Sequence, residues 1–139
     1  MLMCVFADAA ATPESDYLAM REAFRSGESG RVNSYAARLK GHALEPFAVY
    51  LQLVMRIREA SPEEIRNYIT RNADSHFSDK LRADWLRALG KNQEWELFLG
   101  EYPQLINQDN EITCYELQAR LAKGDDTALT EAKKMWLTG

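Results

Sequence analysis

The clearest helical pattern in this chain lies at residues Ser78–Tyr102, SDKLRADWLRALGKNQEWELFLGEY. Apolar side chains recur there at helical intervals: Leu81, Trp85 and Leu89, then Trp95, Phe98, Leu99 and Tyr102. This spacing places each group on one face of an α-helix. Gly90 predicts the end of the first helix, and Asn92 predicts the N-cap of the second. Two helices joined by so few residues are expected to form an antiparallel hairpin.

The same periodicity continues on both sides of this hairpin and predicts eight helices. Their predicted starts lie near Thr12, Ser29, Glu45, Ser61, Ser78, Asn92, Asn110 and Asp126. The turns that join the two helices of each hairpin are predicted near Gly27, Ser61, Gly90 and Gly124, about 30 to 34 residues apart. Such a period is typical of paired-helix solenoids. The prediction is therefore an all-α fold, a right-handed superhelix of antiparallel hairpins with tetratricopeptide-like architecture but without that family's consensus.

Local signals support several of these helix starts. Thr12 is the predicted N-cap of the first helix because Pro13, which follows it, suits the first helical turn. The segment Ser61–Glu64, SPEE, predicts a capping box with proline in the first turn. No strand is predicted, since β-branched residues are scattered and no hairpin-turn dipeptide separates alternating runs.

The composition predicts a packed core and argues against nucleic-acid binding and a membrane-spanning helix. The chain has 139 residues, of which 46% are hydrophobic and 27% charged, and its net charge is −4. This length allows one domain or a slice of a larger solenoid. An acidic chain without a basic run predicts no nucleic-acid partner. No apolar run approaches the roughly 20 residues of a transmembrane helix.

The first eleven residues, MLMCVFADAAA, differ from the rest of the chain. They are apolar, lack Lys and Arg, and end in small residues that suit signal-peptidase cleavage. We interpret residues 1–11 as the remnant of a signal peptide, which predicts an exported protein; an ordinary disordered N-terminus is the alternative. Residues 12–139 are then the helical-hairpin solenoid, as the N-terminal part of a larger superhelical domain.

No pattern in the chain predicts a catalytic, cofactor-binding or metal-binding site. His42 and His76 stand alone, and His42 is expected to contact the end of a helix. Zinc-binding, phosphate-binding and nucleophile-elbow motifs are absent from the sequence. Acidic pairs at Glu63–Glu64 and Asp125–Asp126 are explained by helix starts, where carboxylates oppose the helix dipole.

Two segments resemble the N-terminal helical region of soluble lytic transglycosylases, Ser78–Tyr102 and Ile112–Gly139. The matching positions are Leu81, Arg82, Trp85, Leu86, Leu89, Gly90, Lys91, Trp95, Phe98, Leu99 and Tyr102, then Cys114, Tyr115, Leu117–Arg120, Gly124, Asp125 and Trp136–Gly139. A looser likeness covers residues 43–53, and the overall similarity begins near Tyr17.

The resemblance implies a scaffold in a periplasmic enzyme that cleaves peptidoglycan to 1,6-anhydromuropeptides. The family's catalytic glutamate lies in a Glu-Ser pair followed by a GLMQ-type segment; Glu14-Ser15 has no such segment behind it, so no catalytic residue is carried over. Peptidoglycan, reached through the absent catalytic domain, and cell-wall proteins are the implied partners. The family continues past the equivalent of Gly139 with a cysteine-bearing helix, so the resemblance makes Cys114 half of a disulfide. A stand-alone helical-repeat interaction module is the alternative.

Overall fold

The computed structural model describes residues 11–138, and this part of the chain contains eight α-helices and no β-strand. The helices are α1 (Pro13–Arg25), α2 (Ser29–Arg38), α3 (Glu45–Met55), α4 (Pro62–Arg71), α5 (His76–Lys91), α6 (Trp95–Glu101), α7 (Asn110–Ala122) and α8 (Thr127–Thr138). A 3-10 turn, Tyr102–Gln104, follows α6. The all-α prediction is confirmed. The predicted signal-peptide remnant lies, except for Ala11, outside the described residues.

The start and end of α1 follow from its sequence. The Thr12 hydroxyl accepts a hydrogen bond from the Ser15 N–H at 3.1 Å, and the Ser15 hydroxyl accepts one from the Thr12 N–H at 2.9 Å. These reciprocal bonds form a capping box that satisfies donors the helix itself leaves free. The helix ends before Gly27, whose φ of +72° is the left-handed conformation predicted for this glycine.

Two predicted caps were wrong in detail. The Ser61 hydroxyl does accept a hydrogen bond from the Glu64 N–H at 3.2 Å, but the Glu64 carboxylate pairs with Arg56 instead of completing a capping box. At α7 the N-cap is Asp109, not Asn110, and its carboxylate accepts from the Ile112 N–H at 2.9 Å. Sequence spacing indicates neither of the arginines involved: Arg56 pairs with Glu64, and Arg87 pairs with Asp109.

Gly90 does not end α5, contrary to the prediction. The helix continues to Lys91, Asn92 is its C-cap rather than the N-cap of α6, and the chain reverses at Gln93, whose φ is +56°. Gly90 instead allows a close approach by α7. A Cβ atom at this position would lie 2.4 Å from Cγ of Tyr115. The glycine is therefore required for packing between helices and not for a turn.

The chain divides into two compact units, with the boundary between Met55 and Arg56. In the first unit, α1 and α2 form a hairpin and α3 packs against both helices. Met20, Val32 and Leu39 are fully buried there. The helix α3 is buried on more than one side, because side chains on different faces are buried: Ala48, Tyr50, Leu51 and Leu53.

The second unit is organised around α5. This helix packs against α4, α6 and α7, and α8 packs against α7. Phe98 of α6 is completely buried, and its ring centroid lies 5.8 Å from that of Tyr102 and 6.5 Å from that of Tyr115. This aromatic cluster joins α6 to α7. None of the helices within residues 11–138 is both long and apolar enough to cross a lipid bilayer.

Candidate functional site

Cys114, the predicted half of a disulfide, lies in α7. Its side chain is half-buried, and it forms no disulfide with another described residue. The other cysteine, Cys4, lies outside residues 11–138. The pairing of Cys114 therefore stays a prediction.

Arg120 is the centre of an ion-pair cluster in the second unit that includes three acidic residues. Its guanidinium donates to Asp125 at 2.8 Å, to Glu131 at 2.7 and 2.9 Å, and to the Thr127 hydroxyl at 2.8 Å. Glu116, one turn earlier in α7, lies 3.5 Å away. The planar guanidinium can serve several acceptors at once because its five N–H groups point outward in a fixed fork. Arg120 thus fastens the start of α8 to α7.

Glu116 is a carboxyl group with the electrostatic property that a general acid needs. Burial raises the pKa of Glu116, and the neighbouring Arg120 opposes this shift. Burial also raises the pKa of the nearby Tyr102 hydroxyl. A glycoside-cleaving acid requires a raised pKa inside an enclosing pocket. Glu116 instead faces Arg120, so its geometry is that of an ion pair within a helix.

A cavity of about 170 Å³ lies between the residues preceding α4, the second half of α5 and the start of α6. Apolar side chains that include Trp85 and Leu89 line it, together with the polar residues Arg58 and Glu94. Trp85 is only 3% exposed, and the guanidinium of Arg66 lies 5.6 Å from its ring centroid. A sugar ring needs an open aromatic face for stacking, and Trp85 does not offer one.

Two buried carboxylates of the second unit are occupied by hydrogen-bond donors. Glu101 accepts from Nε of Arg66 at 2.7 Å and lies 3.9 Å from Nε of Arg82. Asp79 accepts from the backbone N–H groups of Ile106 at 2.8 Å and Asn107 at 3.0 Å. These acids hold α4, α6 and the loop before α7 in place, which is a structural role.

Asp79→Ala is expected to lower the free energy of unfolding by about 2 kcal/mol, because two backbone donors lose a charged acceptor. Asp79→Asn should cost less, since it keeps one amide oxygen. Urea unfolding followed by circular dichroism measures both. The exposed Asp74, mutated to Ala, is the matched control. Equal stability of the Asp79→Ala and Asp74→Ala variants would contradict this role.

The outer face of α8 exposes three large apolar side chains. Leu129 is 52% exposed, and Trp136 and Leu137 are each 86% exposed. Lys133 and Lys134, also exposed, lie between them in sequence. We call these five residues the α8 outer face.

The histidines do not form a metal site. The backbone N–H of Leu44 donates to Nδ1 of His42 at 3.1 Å, so His42 stabilises the turn before α3. His76 begins α5, and its ring centroid lies 4.3 Å from that of Phe77. Within residues 11–138, no three His, Cys, Asp or Glu side chains are grouped to hold a metal ion.

Sequence reasoning missed Asp79 and the central role of Arg120. Both act on residues that follow them in the chain, and Asp79 acts on a loop that begins 27 positions later. The only signal for Asp79 in the sequence was an acidic residue at a position of a helix that is expected to be buried.

Comparison of the chain with protein-family models, curated proteins and solved structures yields no match.

Proposed function

We propose that this chain is a non-catalytic scaffold segment from the N-terminal helical region of a periplasmic soluble lytic transglycosylase. The observation that carries the proposal is the family-like sequence of the α7–α8 hairpin, Cys114–Arg120 followed by Gly124, Asp125 and Trp136–Gly139. In the parent enzyme, a separate catalytic domain cleaves the glycan strand to 1,6-anhydromuropeptides. The hairpins are proposed to form part of its right-handed superhelix.

Contacts among the family-like residues support this proposal. Gly90 accommodates the ring of Tyr115, and Phe98 packs against both Tyr102 and Tyr115. Arg120 binds Asp125. Residues from the two family-like segments are therefore in contact within one packed unit. We expect such contacts in a scaffold shared with the family, since they determine how α5, α6 and α7 pack.

The carboxylates that are already bound by donors within the fold support a non-catalytic role. Asp79 and Glu101 accept hydrogen bonds from donors within the fold, and Glu116 lies beside Arg120. None of the three is in the cavity that Trp85 lines, and Glu94, the carboxylate that does line it, is exposed to solvent. General-acid catalysis needs a carboxyl group that reaches the glycosidic oxygen.

The purified chain is accordingly expected to release no soluble 1,6-anhydromuropeptides from peptidoglycan sacculi. The supernatant is measured by chromatography with mass spectrometry, and a lytic transglycosylase with its catalytic domain, added to the same sacculi, is the positive control for anhydro products. Anhydro products formed by the chain itself would refute a non-catalytic role. Glu116→Gln would then identify whether the raised-pKa carboxyl is responsible.

Cys114 is expected to react with a thiol reagent in the Cys4→Ser chain, more slowly than after unfolding because its side chain is half-buried. In an oxidised polypeptide that extends beyond Gly139 it should be protected by a disulfide, which the periplasm favours. Mass spectrometry of the labelled protein distinguishes the two states, with Cys114→Ser as the unlabelled control. Full labelling of Cys114 in the oxidised longer polypeptide would refute the pairing.

A stand-alone helical-repeat interaction module is the second candidate function. The observation that favours it is the α8 outer face, because exposed apolar patches often mark protein-binding surfaces. The open reading frame distinguishes the two candidates. A downstream segment of the GLMQ type supports the scaffold, and a stop codon after Gly139 supports the module.

A further inference from the structure

We propose that the α8 outer face is a docking surface for an acidic amphipathic α-helix of another polypeptide. The proposal goes beyond both functions above, and it requires the α8 outer face to be open to solvent in the folded protein. It rests on the spacing of the exposed side chains, on the fixed orientation of α8 and on the charges within the patch.

The spacing of the exposed side chains is that of a helix-packing seam. Leu129, Lys133 and Trp136 follow one another at intervals of four and three residues, and Leu137 adjoins the last. Intervals of four and three are the d-to-a and a-to-d steps of a heptad, so these positions form one stripe along α8. Leu129 and Trp136 are then apolar seam positions, and Lys133 is a charged one between them. A second helix can pack along such a stripe.

The opposite face of α8 is already used. Ala128 is completely buried and Met135 is half-buried, and α8 packs against α7. On the same helix, Glu131 accepts two hydrogen bonds from Arg120 of α7. Because these contacts fix the rotation of α8 about its axis, Leu129, Trp136 and Leu137 are held outward. The outer face is therefore a preorganised surface, which lowers the entropy cost of binding.

The charges select the partner. Within residues 11–138, Lys133 has no ion-pair partner, whereas Glu131 is bound by Arg120 and also interacts electrostatically with Lys134. The α8 outer face itself carries two lysines and no carboxylate, although the chain has a net charge of −4. A lysine at a seam position favours a partner helix with a carboxylate opposite it and disfavours an apolar one. Glutamate or aspartate beside apolar residues is the matching chemistry.

The same charges count against two other occupants. Antiparallel pairing of α8 with α8 of a second copy would bring the lysines of the two copies together, and like charges across a helix interface are destabilising. An anionic membrane would attract the two lysines but repel a chain of net charge −4. An acidic helix meets the seam with its own carboxylates aligned to the lysines.

The test uses two fluorescently labelled, monomeric helical peptides of roughly 20 residues, long enough to be partly helical alone. One has leucine along its seam with flanking glutamates, and the other replaces those glutamates with lysines. Fluorescence anisotropy measures their binding to the full chain. The acidic peptide should bind at least about tenfold more tightly than the basic one, because like charges suppress the wrong partner. The Lys133→Glu/Lys134→Glu variant should reverse this preference.

Two single variants distinguish binding at the α8 outer face from nonspecific hydrophobic binding. Trp136→Ser should abolish binding of the acidic peptide, while Ile106→Ser, at a similarly exposed apolar residue away from α8, should leave it unchanged. Unaltered circular dichroism would show that each variant is folded. The proposal is overturned by equal binding of the two peptides, by a Trp136-dependent dimer in analytical ultracentrifugation, or by binding to phosphatidylglycerol vesicles without binding to the peptide.

Discussion

Trp85→Ala is expected to lower the free energy of unfolding of the second unit by about 3–5 kcal/mol, the usual range for loss of a buried aromatic side chain. Trp85 is 3% exposed and lies on α5, the helix against which α4, α6 and α7 pack. Its ring also lies beneath the guanidinium of Arg66. Truncation removes this cation–π contact and opens a void beside an existing cavity of about 170 Å³. Water filling the enlarged space would not replace the lost contacts.

Urea unfolding followed by far-UV circular dichroism measures the effect of Trp85→Ala. Trp136→Ala is the matched control, because it removes the same side chain from a position that is 86% exposed. This control should change stability by no more than about 0.5 kcal/mol. Similar losses in the two variants would show that Trp85 is not a core residue and would restore a role for it in ligand stacking.

Gly90→Ala is expected to have the second largest effect, a loss of about 3 kcal/mol at the upper end of the usual range for overpacking. The added Cβ would lie 2.4 Å from Cγ of Tyr115 and 2.7 Å from both of its Cδ atoms. Because Cγ is next to the Tyr115 backbone, the ring cannot swing away without moving α7 or losing its contact with Phe98. The effect is opposite to that of helix propensity, which favours alanine over glycine.

The control for Gly90→Ala is Gly100→Ala in α6, where an added Cβ meets no atom within 4 Å. That variant should be as stable as the parent or slightly more stable. A double-mutant cycle tests the named contact: in the Tyr115→Ala background, which lacks the ring, Gly90→Ala should cost little. An undiminished cost in that background would mean that the strain arises elsewhere.

Local features of this chain could be predicted well from its sequence. The Thr12–Pro13 start of α1 and the left-handed glycine at Gly27 follow from hydrogen bonds and backbone conformations within a few residues. The buried stripe of α4, Ile65 with Tyr68 and Ile69, follows from helical periodicity. The sequence therefore specified an all-helical chain and most of its helix boundaries.

Tertiary structure decided what several residues do within those helices. Gly90 looks like a helix stop in the sequence, yet its role depends on Tyr115, which lies 25 positions later and on a different helix. Glu64 has the spacing of a capping box, but its carboxylate forms an ion pair with Arg56 instead. Arg120 gathers Asp125 and Glu131 only because α8 folds back onto α7. Backbone propensity and capping act over one or two helical turns, whereas close packing and ion pairing depend on which helices become neighbours.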